Sequence, residues 1–228
     1  MDNQRRALIK SSLLIGSGVA LSSLPLWAKE QKGEKETPAV EDLMREHGGL
    51  NRILLIYENI VMRMDQKKDF DPDLLKKSAS IIKNFIEDYH EKLEEEYIFP
   101  RMQQVNHLTD LVNVLKSQHE AGRKLTQLIL MLANTNSVKS EEERGKLKSA
   151  MLAFVKMYRP HEAREDTLLF PEFKKLTSDK EYKQLGDKFE DREHQLFGKE
   201  GFEGIVTQIG EIEKNLGLYD LSQYTPKI

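Results

Sequence analysis

Four long helices packed up and down as an antiparallel bundle, with one or two extra helices at the C-terminal end, are what this all-α chain of 228 residues predicts. Three observations carry the prediction. The chain is rich in Glu, Lys and Leu, 32% charged and only 7% aromatic, and those are residues that lose little on entering a helix. Apolar residues return every three to four positions over long stretches. Short runs of proline, asparagine and aspartate separate the stretches, so neighbouring helices must turn back on each other.

From Val40 the apolar residues Leu43, Leu50, Leu54, Tyr57 and Val61 keep helical spacing and give a first helix over about 39–65. Lys67 to Pro72 is a loop. Asp71-Pro72 opens the second helix, with Asp as N-cap and Pro in the first turn. That helix spans about 72–98, where Phe99-Pro100 is expected to end or kink it, because the residue before proline avoids the α region. A third helix over about 106–133 closes in the turn Asn134-Thr135-Asn136-Ser137. The fourth begins near Ser140, where Glu141, Glu142 and Glu143 suit the positive N-terminal end, and runs to about Phe170. Pro171 there repeats the signal at Pro100, and Pro160 predicts a kink directly before His161. Helices of ~25–30 residues are rods ~40 Å long. Further helical patterns at about 178–197 and 202–215, joined where Gly198, Gly201 and Gly204 fall, pack outside the bundle, and Tyr219 to Ile228 is a surface strap. The organisation is therefore 1–28 export signal, 29–38 linker, 39–177 bundle, and 178–228 helical extension and tail.

Net charge is −3, which leaves no basic footprint for nucleic acid. The absence of cysteine excludes disulfides, thiolate zinc sites, cysteine-held iron–sulfur clusters and cysteine nucleophiles. At the N-terminus, Arg5 and Arg6 precede an uncharged run from Ser11 to Ala28, which ends just before the polar stretch Lys29 to Glu36. The segment Gln4-Arg5-Arg6-Ala7-Leu8-Ile9-Lys10 resembles a twin-arginine export signal. Cleavage after Ala28 places a mature chain of net charge −5 in the periplasm, with no stable membrane insertion. The alternative is an uncleaved membrane anchor, since 18 uncharged residues just span a bilayer.

The chemistry sits in an internal repeat. His90 to Pro100 reads H-E-K-L-E-E-E-Y-I-F-P, and His161 to Pro171 reads H-E-A-R-E-D-T-L-L-F-P. His47 stands 43 residues before His90, and His119 stands 42 before His161. Only six histidines occur, and four fall in this doubled pattern. Residues four apart share a helix face, so His90 with Glu94, and His161 with Glu165, can each aim a nitrogen and an oxygen at one point. A single H-x-x-x-E in a Glu-rich helix is ordinarily a solvated pair. Two, with the same Phe-Pro flank and matched upstream histidines, point to a two-metal centre inside a bundle. Two iron ions suit the imidazole and carboxylate set, although zinc or manganese could take the same ligands. On a regular helix the i+5 residues Glu95 and Asp166 face away from that point.

These segments resemble the haemerythrin-like (HHE cation-binding) family. The matching residues are Glu46-His47-Gly48-Gly49, His90-Glu91-x-x-Glu94, Gln118-His119-Glu120-Ala121-Gly122-Arg123 and His161-Glu162-Ala163-Arg164-Glu165, over about 40–175. The resemblance implies an up-down four-helix bundle around a non-haem di-iron centre. It implies His47, His90, His119 and His161 as imidazole ligands and Glu94 and Glu165 as bridging carboxylates. Oxygen-carrying members have a second histidine one turn after the third-helix ligand, where this chain has Arg123. They also have an Asp five residues after the last histidine, where Asp166 stands; the internal repeat favours Glu165. Glu91 or Glu162 could fill a terminal position, and His194, with Glu190 one turn before it, could fold back onto an open metal. His194 otherwise reads as a surface or capping residue, His107 as an exposed helix-start residue, and Tyr97 and Tyr158 as core, although either hydroxyl could point at the site.

Three functions share these ligands: binding of O2 or a related small ligand for storage, delivery or sensing; a di-iron redox enzyme acting on peroxide or nitric oxide; and iron handling. The expected ligand is a small diatomic molecule or peroxide. The sequence names no protein partner.

Overall fold

A computed structural model describes residues 38–227. The export-signal reading of residues 1–28 lies outside the described residues. Helix α1 is Ala39–Asp65. Helix α2 is one rod over residues 72–104, in which α-helical turns alternate with the wider π turns Ile82–His90 and Glu94–Ile98. Helix α3 is Thr109–Leu132, α4 the short Thr135–Lys139, and α5 a second composite rod over residues 141–175 with a π turn at Glu165–Leu169. Helices α6 (Asp179–Phe197) and α7 (Gly201–Leu216) follow, then a 3₁₀ turn at Leu221–Tyr224.

The starts follow the capping chemistry. The side chain of Asp71 accepts from Asp73 N at 3.0 Å with Pro72 in the first turn, and Ser140 Oγ accepts from Glu143 N at 3.4 Å. The expected turn at 134–137 is instead the start of α4, because the Asn134 side chain caps the backbone N–H groups of Asn136 and Ser137.

Antiparallel rods pack in the cyclic order α1, α2, α3, α5, with α1 also meeting α5, and α6 and α7 lie against α1. Tyr57, Leu50, Phe85, Phe154, Phe170 and Phe189 are among the side chains fully buried in the shared core. This is the up-down bundle with added helices. Among the described residues no helix is long and apolar enough to cross a membrane.

The rods run on where the sequence predicts an end or a kink. Helix α2 passes Pro100 and continues to Gln104, α5 passes Pro171 and continues to Lys175, and α5 stays helical through Pro160. The π turns explain the first two. Phe99 N–H bonds to the Glu94 carbonyl and Phe170 N–H to the Glu165 carbonyl, five residues back instead of four. Widening the helix one turn before each proline absorbs the missing donor and makes room for the ring. Both π turns begin at the carboxylate of an H-x-x-x-E pair.

Candidate metal centre

Each long rod delivers one histidine to the interior: His47 from α1, His90 from α2, His119 from α3 and His161 from α5. All four are buried, as are Glu94 and Glu165. The Nε2 atoms converge. His47 Nε2 lies 3.1 Å from His90 Nε2 and 3.5 Å from Glu165 Oε2, His161 Nε2 lies 3.1 Å from Glu165 Oε2, and His119 Nε2 lies 3.4 Å from Glu94 Oε2. Two groups of potential ligand atoms result, His47–His90–Glu94 and His119–His161–Glu165.

The outward nitrogen of each ring is anchored. His47 Nδ1 meets Asp166 at 2.8 Å, His90 Nδ1 meets Glu46 at 2.6 Å, His119 Nδ1 meets Glu95 at 3.1 Å and His161 Nδ1 meets Gln118 Oε1 at 2.9 Å. An acceptor at Nδ1 places the ring proton there and turns the Nε2 lone pair inward, as metal-ligating histidines require. Asp166 and Glu95 are thus not the bystanders that helical angles predict. They sit at the edge of the inward face, each reaching sideways to a ring on another helix. Asp166, a candidate ligand in the sequence, stands here against the Nδ1 of His47. The repeat did mark these positions as similar, but only the packing of neighbouring helices gives them partners. Glu46 and Gln118, each directly before a histidine, were missed for the same reason.

The donor set fits a cation. None of the four carboxylate oxygens of Glu94 and Glu165 has a hydrogen-bond partner, and His119 Nε2 has none. Buried polar atoms are ordinarily paired, and an unpaired carboxylate costs several kcal/mol. Two inward lone pairs 3.1 Å apart at His47 and His90 also repel unless a proton or a metal stands with them. The titration of the site reflects that demand. Burial disfavours the charged form of His47, yet Asp166 and Glu165 push it up to about 9. Burial instead drives His90 and His161 down to about 3. His119 is raised by Glu91 and Glu94 against its burial, while Glu165 is raised by burial and by Glu94. Four imidazoles and two carboxylates need positive charge from outside, as protons or as metal.

The remaining candidates separate clearly. Glu91 is buried, accepts the Tyr158 hydroxyl at 2.6 Å and the Arg123 guanidinium at 2.7 Å. Arg123 also reaches Glu95 at 2.6 Å, so the position of a carrier's second histidine is filled by a cation bound to two carboxylates. Glu162 is buried, and burial lifts its carboxyl to about 7. His194 is exposed on α6 and belongs to neither group of ligand atoms. His107 is partly exposed and pairs with Glu172 at 3.0 Å. Tyr97 packs against Phe189, whereas Tyr158 turns its hydroxyl to Glu91, the alternative to plain core packing.

Comparison with known proteins agrees with this geometry. The haemerythrin HHE cation-binding domain matches residues 39–143. Uncharacterized proteins of Mycobacterium bovis and of two Mycobacterium tuberculosis strains are 43% identical over 231 residues, covering 97% of this chain and 91% of theirs. A haemerythrin HHE cation-binding domain is thus present in the chain. The family match contains His47, His90, Glu94 and His119 and stops before His161 and Glu165. In this haemerythrin-like chain the second half of the centre therefore rests on the internal repeat and on the meeting of the side chains. No solved structure matches the chain.

Proposed function

We propose that this haemerythrin-like protein holds two iron ions and binds O2 or a related small ligand there, for storage, delivery or sensing. The observation that carries the reading is the pair of two-histidine, one-carboxylate groups facing each other, with every Nδ1 anchored and no carboxylate oxygen of Glu94 or Glu165 in a hydrogen bond. His47 and His90 would hold one ion, His119 and His161 the other, and Glu94 and Glu165 would bridge. Bound there, iron supplies a redox-active pair that takes small diatomic ligands and peroxide. The chain fixes the rings within a buried core.

A second reading, a redox enzyme acting on peroxide or nitric oxide, draws on Tyr158 and Arg123. The Tyr158 hydroxyl, bonded to Glu91 beside His161, is a protic group at the centre, and Arg123 holds Glu91 in place. Four histidines with Arg123 in place of a fifth also leave a centre less rich in nitrogen.

Anaerobic Fe(II) loading, then optical spectra on separate addition of O2, peroxide and nitric oxide, decides between the two. Two irons per chain and a spectral change on O2 that reverses on degassing support ligand carriage. Catalytic loss of peroxide without a stable adduct supports the enzyme. Fewer than two irons would sink the paired centre. Export to the periplasm is part of the proposal and rests on residues 1–28 alone. Changing Arg5 and Arg6 together to Lys should leave precursor in the cytoplasm, and unchanged export would refute it.

A further inference from the structure

Behind His90, away from the paired centre, three carboxylates meet where α6 lies against α1. Asp42 and Glu46 stand one turn apart on α1, and Glu193 comes from α6. Each offers an oxygen, and these oxygens lie within 4.8 Å of one another. Glu46 is fully buried, Glu193 nearly so, and Asp42 forms the rim toward solvent. Glu46 Oε2 takes the His90 Nδ1 contact, while Oε1, equally buried, has no hydrogen-bond partner.

The chain is built around Glu193. The Phe202 N–H donates to its Oε1 at 2.9 Å, and the Tyr89 hydroxyl reaches its Oε2 at 3.5 Å. Gly201 is held at a φ of +44°, where any Cβ would stand 1.9 Å from Glu193 Oε1, so no other residue leaves the carboxylate its seat. The cation beside the cluster is Arg45, which pairs with Asp42 at 2.8 Å and with Glu203 at 2.6 Å.

We propose that Asp42, Glu46 and Glu193 form a third cation site, separate from the paired centre, for a hard divalent ion. Three carboxylates without imidazole or thiolate are the ligand chemistry of Mn²⁺, Mg²⁺ or Ca²⁺, with water completing the shell. An ion there satisfies the orphaned oxygen of Glu46 and relieves the repulsion among three closely spaced carboxylates. It also ties α6 to α1. Glu46 belongs to both sites, one oxygen on the ion and the other orienting His90, so the third site steadies a ring of the paired centre.

The test counts bound Mn²⁺ by equilibrium dialysis on the full, metal-stripped chain. A Glu94→Ala/Glu165→Ala double variant, disabled at the paired centre, should still bind one Mn²⁺ tightly. Adding Glu193→Gln should abolish that ion while leaving the helical circular dichroism unchanged, because Gln still accepts from Phe202. Asp42→Asn, at the rim, should weaken it at least tenfold. A double variant that binds no Mn²⁺, or one whose Mn²⁺ survives both added changes, overturns the site and shows that protons neutralise the cluster. The count in this background does not depend on whether the paired centre binds iron.

Discussion

The half-centre of His47 and His90 and the half-centre of His119 and His161 repeat each other further out than their ligands. The residue before His47, Glu46, anchors His90, and the residue before His119, Gln118, anchors His161. The residue after Glu94, Glu95, anchors His119, and the residue after Glu165, Asp166, anchors His47. The pattern is a pseudo-twofold exchange of α1 with α3 and of α2 with α5. The halves differ in charge. Both rings of the first half lean on carboxylates, whereas the second has one carboxylate, shared with Arg123 and Lys92, and one neutral amide. Identical ligands can thus have unequal basicity, because an anionic acceptor at Nδ1 strengthens the donor at Nε2. The first half should hold its metal more tightly.

The comparison breaks most visibly at the carboxylates. Glu94→Ala and Glu165→Ala should each lower iron from two per chain to one or none after anaerobic loading. If either variant keeps two, that carboxylate is not a shared ligand. The anchors should have a smaller effect. Asp166→Asn should weaken iron in the first half by about 10–100-fold in chelator competition. Gln118→Glu should bring the second half toward the first. Two equal binding steps already present in the unchanged protein would remove the asymmetry.

Next come the paired positions Tyr158 and Glu87, each three residues before a histidine of the repeat. Tyr158→Phe should leave iron content intact and cost about 1 kcal/mol in urea unfolding, since Glu91 keeps Arg123 when it loses the hydroxyl. Loss of iron would instead make the tyrosine part of the metal's own support. Gly122→Ala should act in the same direction, because a Cβ there would lie 2.1 Å from the Tyr158 oxygen. Glu87 has the smallest effect. It is buried, its two oxygens have no hydrogen-bond partner, and Lys83 stands 3.7 Å away. Burial raises its carboxyl above the unfolded value, so the charged form costs the fold stability at neutral pH, and that cost fades as pH falls through the folded value. Glu87→Gln should therefore stabilise by up to about 1 kcal/mol at pH 8, with the gain shrinking toward pH 4. A gain that is constant with pH would exclude Glu87 as its source.

Helix positions, the antiparallel order and the six central residues were all legible in the chain, because apolar spacing and the H-x-x-x-E repeat are local patterns. Asp71-Pro72 and Ser140 marked two helix starts, which the structure places at Pro72 and Glu141. What misled was also local. Pro100 and Pro171 read as ends or kinks because a regular helix cannot absorb them, and the π turns beginning at Glu94 and Glu165 let both rods continue. Glu95 and Asp166 read as off-face because helical angles describe one helix at a time. Glu46, Gln118, Asp166 and Glu95 acquire their partners only across helices, 24 to 119 residues away in the chain. The sequence by itself determined which side chains could donate to a metal. The tertiary structure decided which groups orient those donors, because an imidazole's second nitrogen is satisfied by whatever the neighbouring helix presents.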